Sequence, residues 1–216
     1  MEHFWDRVFR SNSERFGTEP SASAETALQV VAQRHLHAPE MLDLGSGTGR
    51  DTLAFAHSGM QVAALDFSSV ALAGVRDAAD AAGVAQNIRT VQHDVRRKLP
   101  FADARFDVCY AHMLYCMDFT VDELAFLAAE VRRILKPGGI HVYTARTTAD
   151  PDFGVGIHRG EQRYEDEGFT VHFFDRALVE RLAAGFRLLA IAEFEEGPLP
   201  RRLFTVTLEK TGDLSG

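Results

Sequence analysis

Leu42-Asp43-Leu44-Gly45-Ser46-Gly47-Thr48-Gly49-Arg50-Asp51 decides the reading of this chain. The stretch leaves an apolar run (Met41, Leu42, Leu44) and enters a helical pattern near Thr48 or Gly49. Glycines at alternate positions let a backbone approach a ligand closely and take positive φ where a side chain cannot. In open α/β sheets, a glycine turn after the first strand is where nucleotides bind. The spacing is Gly45-x-Gly47-x-Gly49 rather than G-x-G-x-x-G, which disfavours an NAD-dependent oxidoreductase.

Downstream, short apolar runs alternate with helical patterns, the signature of a doubly wound α/β sheet. Strands are expected at Gln61–Leu65, ending at Asp66, at Ile88–Val91, ending at Asp94, at Phe106–Tyr110 and at Ile140–Thr144. The last is entered through Lys136-Pro137-Gly138-Gly139, where proline and glycine stop a helix and force a turn. Leu124, Leu127, Val131, Ile134 and Leu135 make one apolar helical stripe, capped by Thr120 or Asp122; Ala71, Leu72, Val75, Ala78, Ala79 and Ala82 make another before Gly83.

Three segments follow from this pattern. Residues 1–38 read as a helical cap: one helix carries Phe4, Trp5, Val8 and Phe9, and another runs from about Ser21 to His35. Residues 39–146 are the ligand-binding core. Residues 147–216 begin with a glycine-rich, charged loop (147–169) without period, expected as a lid. A helix at Asp175–Ala184 follows, then two alternating runs, Leu188–Phe194 and Phe204–Leu208, joined by Gly197-Pro198-Leu199-Pro200. These read as an antiparallel hairpin closing a mostly parallel sheet.

Composition narrows the function classes. The 216 residues carry a net charge of −8, and such a field repels phosphate backbones, so nucleic acid is not an expected partner. No run of about 18 apolar residues is present, so no membrane span is expected. The first residues carry charges of both signs and read as no signal peptide; with only Cys109 and Cys116, the chain suits the reducing cytoplasm. His35-x-His37, and His112 with Cys116, lack the further ligands of a closed zinc site, so no metal is expected.

The carboxylates at the strand ends suggest what the glycine turn holds. Asp66 suits a ribose diol, because an ionised Asp only accepts hydrogen bonds. Asp94 suits the exocyclic amine of an adenine, with Phe67 and Val95 flanking the ring.

LDLGSGTG (42–49), ALD (64–66), HDV (93–95), FDVCYAHM (106–113) and LKPGGIHVYTAR (135–146), in this order, resemble the motifs of class I S-adenosylmethionine-dependent methyltransferases. The resemblance spans roughly residues 38–146, and the compact size is loosely similar to tellurite- and thiol-methylating members. It implies a Rossmann-like, seven-stranded sheet with the last strand antiparallel, and S-adenosylmethionine as cofactor. It also implies that Asp43, Gly45, Ser46, Gly47 and Gly49 back the methionine part and Asp66 the ribose. Asp94 and Val95 would hold the adenine, while Ala111 and His112 line the methyl-transfer end.

Methyl transfer is an in-line displacement at a sulfonium carbon, and the protein supplies orientation and desolvation. The expected acceptor is a small molecule offering S, O or N. A thiol needs no strong base, whereas a hydroxyl benefits from one. Candidate bases are His112, at the end of the fourth strand, and His158, in the 147–169 loop. Candidate acceptor contacts are Trp5, Tyr115, Arg146 and Tyr164. The alternative reading is a non-catalytic cofactor-binding sensor or partner subunit, and oligomeric state is left open.

Overall fold

A computed structural model of the chain describes residues 4–11, 17, 19–197 and 201–212. Five parallel strands form the expected core: β1 (Glu40–Leu44), β2 (Gln61–Asp66), β3 (Ile88–Gln92), β4 (Phe106–Ala111) and β5 (Leu135–Arg146). After a smaller three-stranded sheet, the chain returns as β9 (Phe186–Glu196) and β10 (Arg201–Lys210). The large sheet has the order β3-β2-β1-β4-β5-β10-β9, with β10 antiparallel to both β5 and β9. The expected terminal hairpin is therefore present, longer at both ends; Pro198, Leu199 and Pro200 of its turn lie outside the described residues.

Strand order reverses between β1 and β4, which start neighbouring chains in opposite directions and open a crevice at the carboxyl ends of the strands. The period of two along each strand feeds two cores. Met41, Val108 and Tyr110 pack on one face with Ala24, Ala27 and Phe55. Leu42, Leu44, Cys109 and Ala111 pack on the other with Leu124, Val131 and Val179.

The helices are α1 (Phe4–Ser11), α2 (Ala22–Gln33), α3 (Arg50–His57), α4 (Ser69–Ala81), α5 (Val121–Ile134) and α6 (Arg176–Leu182). Their ends follow local chemistry. Ser21, Ser68 and Asp175 each accept a backbone N–H from the first turn of α2, α4 and α6. Of the two candidates for α5, Thr120 is the cap, in a reciprocal box with Glu123.

Two expectations are corrected. Lys136–Gly139 does not separate α5 from a strand: β5 starts at Leu135, directly after Ile134, and the extra residues bulge between the Phe106–Leu135 and Val108–Ile140 pairs. The 147–169 lid loop is not structureless. Its second half builds β6 (Ile157–Gly160), β7 (Arg163–Asp166) and the start of β8 (Phe169–His172), an antiparallel three-stranded sheet. Both connections have two central residues at positive φ, Glu161 with Gln162 and Glu167 with Gly168, the geometry that matches hairpin twist.

Candidate active site

The crevice floor is the glycine turn. Gly45 and Ser46 donate their N–H groups to the Leu65 carbonyl at 2.8 and 3.0 Å, tying the end of β1 to the end of β2. Gly47, at φ +53°, donates to Asp66 Oδ2 at 2.9 Å. Gly49 caps α3 at φ +90°, and a Cβ there would lie 2.9 Å from Val75 Cγ2. Only glycine lets α3 sit this close to α4. Ser46 Oγ is buried and has no hydrogen-bond partner, although a buried hydroxyl ordinarily finds one. Together with the first N–H groups of α3, which no side chain caps, it offers a ligand polar contacts.

At the end of β2, Asp66 accepts from Gly47 through Oδ2 and from the Ser68 N–H through Oδ1 at 2.8 Å. Burial raises its carboxyl above the ordinary Asp value, against the backbone hydrogen bonds that favour the charge. Each oxygen keeps a lone pair for a further donor. At the end of β3, His93 donates its N–H to the Asp66 carbonyl at 3.0 Å, and its Nε2 is buried without a partner. Asp94 Oδ1 accepts the Arg96 N–H at 3.0 Å, so this Asp also shapes the turn. Phe67 and Asp94 are half-buried and Val95 buried. These groups suit a nucleoside: acceptor carboxylates at two strand ends, an unpartnered imidazole nitrogen, and an unpartnered hydroxyl in the glycine turn.

Asp43 differs from the other motif residues. It is buried within β1, where its Oδ2 accepts the Thr52 hydroxyl at 2.5 Å. Burial pushes its carboxyl up to about 7, partly offset by that hydrogen bond. Asp43 therefore anchors α3 beneath the turn and does not form its rim.

At the end of β4, Ala111 is buried and His112 is held on both ring nitrogens. Nδ1 lies 3.0 Å from Ser23 Oγ and 3.3 Å from Thr144 Oγ1. Nε2 lies 3.0 Å from Arg50 Nη2 and 3.2 Å from Glu196 Oε2. The next residue, Met113, takes φ +56° and donates its N–H to Thr144 Oγ1 at 2.8 Å. Ser23, Arg50, Asp51, Tyr110, Thr144 and Glu196 were not legible as site residues. Only the position of Arg50 and Asp51, directly after the glycine motif, was a usable signal.

The remaining candidates separate. Tyr115 is not a rim residue: the turn after β4 sends it into the core, fully buried, its ring stacked on Tyr143 at 4.3 Å and its hydroxyl 2.9 Å from His141 Nε2. Arg146 is not open to an acceptor. It is buried against the carboxylates of Asp150 and Asp152, with its guanidinium 5.1 Å from the Phe173 ring. His158 is exposed on β6, its ring 4.9 Å from Tyr164. Tyr164 in turn packs on Phe153 and Phe173.

Helix α1 lies over the glycine turn. The Phe9 ring comes within 3.6 Å of where a Gly47 Cβ would stand. Trp5 packs on Phe9 and, edge-on at 5.7 Å, on Phe169 of β8, so α1 joins the turn to the small sheet. The side chain of Phe4 lies outside the described residues. Among the described residues, no group of three or more His, Cys, Asp or Glu is placed to hold a metal ion.

Comparison with known proteins agrees with this geometry. Residues 41–139 match the family model described as a methyltransferase domain. Malonyl-[acyl-carrier protein] O-methyltransferase from Pectobacterium atrosepticum is 29% identical over 160 residues, covering 72% of this chain and 56% of that one. The chain spans about half the length of the curated relatives it matches. Among solved structures, the 1,6-didemethyltoxoflavin-N1-methyltransferase of Burkholderia thailandensis superposes with a TM-score of 0.72. It is 21% identical, covers 96% of this chain and 87% of its own, and holds S-adenosylhomocysteine. The [4+2]-cyclase SpnF superposes with a TM-score of 0.75 at 20% identity, covering 97% and 94%. At these identities the superpositions establish the fold.

Proposed function

We propose that the chain, whose residues 41–139 match a methyltransferase-domain family model and form a class I, Rossmann-like sheet, transfers a methyl group from S-adenosylmethionine to a small molecule. The observation that carries this reading is the bond from Gly47 N–H to Asp66 Oδ2 across the switch point, beside the unpartnered Ser46 hydroxyl. It joins the glycine turn to the Asp66 carboxylate at one crevice, which supports Asp66 as the ribose contact.

In this reading Gly45, Ser46, Gly47 and Gly49 back the methionine end, Asp66 holds the ribose, and Phe67, Asp94 and Val95 frame the adenine. When bound, the cofactor supplies an activated methyl group on a sulfonium leaving group. The chain's own work is to orient, to exclude water and to manage one proton. Helix α1, through Phe9 and Trp5, covers the crevice and keeps water out. Ala111 closes the floor at the transfer end, and His112 is the proton acceptor there. His158 and Tyr164, on the small sheet, are the more distal acceptor contacts.

A small acceptor agrees with the way α1 and the small sheet close over the turn. The net charge of −8 argues against a nucleic-acid acceptor. No helix among the described residues is long and apolar enough to cross a membrane, and both cysteines are buried free thiols, which suits a reducing cytoplasm. The experiment is incubation of the purified chain with S-adenosylmethionine and pooled phenols, alcohols, amines and thiols, read by mass spectrometry. Acceptor-dependent S-adenosylhomocysteine and a methylated product are expected. Cofactor binding with no product from any acceptor class would favour the sensor reading.

A further inference from the structure

The hydrogen bonds around His112 bear on where its proton sits. Asp51 accepts three hydrogen bonds, from the Ser21 N–H at 2.8 Å on Oδ1 and from the hydroxyls of Ser21 at 2.9 Å and Tyr110 at 2.8 Å on Oδ2, and pairs with Arg50 Nε at 3.5 Å. A carboxylate only accepts, so Ser21 and Tyr110 both spend their protons on it. Ser23 Oγ has two hydroxyl neighbours on its buried side, Tyr110 Oη at 2.7 Å and Ser21 Oγ at 3.0 Å. Neither has a proton left to give, so Ser23 donates to one of them. Towards His112, Ser23 Oγ is then an acceptor, and the 3.0 Å contact is made by a proton on Nδ1. Thr144 Oγ1, 3.3 Å from the same nitrogen, accepts the Met113 N–H, and Arg50, which can only donate, lies 3.0 Å from Nε2, so the outer nitrogen is the one that accepts.

We infer that the chain Asp51–Tyr110–Ser23 makes His112 a general base with its lone pair on Nε2, facing the transfer end, and that the acceptor is an O–H or N–H group rather than a thiol. The inference rests on reading the crevice as the S-adenosylmethionine site. His112 is the catalytic residue; Ser23, Tyr110 and Asp51 are positioning residues, because they act through it. A phenol or alcohol titrates at about 10 or above and needs its proton removed, whereas a thiol, near 8.5, is already partly ionised at neutral pH.

The step balances. The acceptor's proton passes to Nε2, and its electron pair forms the bond to the methyl carbon as the carbon–sulfur pair leaves with sulfur. The charge gained by the ring is met by Glu196 Oε2, already 3.2 Å from Nε2. Arg50, which donates to Nε2 in this structure, keeps carboxylates at 3.5 Å (Asp51) and 3.6 Å (Glu196) when an acceptor takes its place. Arg50 on α3 and Glu196 on β9 are the charged groups facing the outer ring nitrogen; Asp51 acts on the inner one through the hydroxyls.

The test is ¹⁵N NMR of the histidine-labelled full chain at pH 8, with the His112 signals identified by their loss in His112→Gln. The expected spectrum shows a protonated Nδ1 and a pyridine-like Nε2. Ser23→Ala is expected to lose that preference and to lower kcat for hydroxyl acceptors at least tenfold, with the affinity for S-adenosylmethionine unchanged. Ser23→Thr, which restores the hydroxyl, is expected to recover both. Tyr110→Phe breaks the same chain one bond earlier, but Tyr110 is fully buried, so the Ser23 variants keep the test decisive if that variant fails to fold. A proton on Nε2 in the unmodified chain with S-adenosylmethionine bound, or Ser23→Ala that changes neither tautomer nor kcat, overturns the relay alone. Failure of S-adenosylmethionine to bind, with the Nδ1 proton in place, overturns the cofactor reading and the catalytic role with it.

Discussion

The backbone N–H of Gly47 donates to the side chain of Asp66 at 2.9 Å, so the glycine turn after β1 and the carboxylate after β2 are one hydrogen-bonded unit. Asp66 thus shapes the turn from the end of β2. Asp66→Ala should weaken S-adenosylmethionine binding at least tenfold, about 1.4 kcal/mol, by calorimetry. Equal affinity in the variant would remove the ribose assignment.

Gly47 and Gly49 do different jobs in that turn. Gly49→Ala combines positive φ with a Cβ 2.9 Å from Val75 and should cost about 2 kcal/mol or more, a drop of roughly 4–8 °C in Tm. At Gly47 the nearest atoms to a Cβ belong to the Phe9 ring, at 3.6 Å. Gly47→Ala should therefore cost only about 1 kcal/mol, the left-handed backbone penalty. Its main effect should be on the ligand, with cofactor affinity down at least tenfold. A larger Tm loss at Gly47 than at Gly49 would contradict this division.

Arg146 separates a structural from a binding role. Its carboxylate partner Asp150 is buried, and removing one member of such a pair typically costs about 3–5 kcal/mol because the other charge is stranded. Arg146→Ala is expected to lose stability on that scale in urea while a folded fraction binds S-adenosylmethionine with unchanged affinity. A stable variant with a raised KM for the acceptor would return Arg146 to the substrate site.

His141 sets an acid limit. Burial lowers its pKa to about 4, with the Cys109 carbonyl partly opposing, so the ring is neutral in the folded chain and accepts the Tyr115 hydroxyl. Between pH 6.5 and 4 the unfolded chain binds the proton and the folded chain does not. This contribution to stability is therefore complete above pH 6.5 and is lost as pH falls towards 4. Asp43, raised to about 7, acts in the opposite sense: its contribution is present at low pH and lost as pH rises from about 4 through 7. The His141 ring proton should show no NMR titration above pH 5, and a midpoint near 6.5 would contradict the buried, neutral ring.

The parallel core was legible because its first three strands run into residues with their own chemistry: Gly45, Asp66 and Asp94 punctuate apolar runs whose period and length allow little else. The small sheet was not. Its strands are four residues long, and one of its turns places Glu161 and Gln162 at positive φ, where Asn-Gly would have announced a hairpin. The site divides the same way. Gly47 and Asp66 act within one local motif, so spacing exposes them. Ser23, Arg50, Thr144 and Glu196 meet His112 from four separate elements, and no local pattern encodes that convergence. Tyr115 and Arg146 sat at the right distance past their strands. Their direction was set by a core ring, Tyr143, and a buried carboxylate, Asp150, which only the folded chain brings near.

Calorimetric titration of the unmodified chain with S-adenosylmethionine, beside a parallel titration with NADH, tests the central claim most directly. Saturable binding of S-adenosylmethionine at one site per chain, with no heat from NADH, is the predicted result. No binding of S-adenosylmethionine at millimolar concentration, or clear binding of NADH instead, would contradict it.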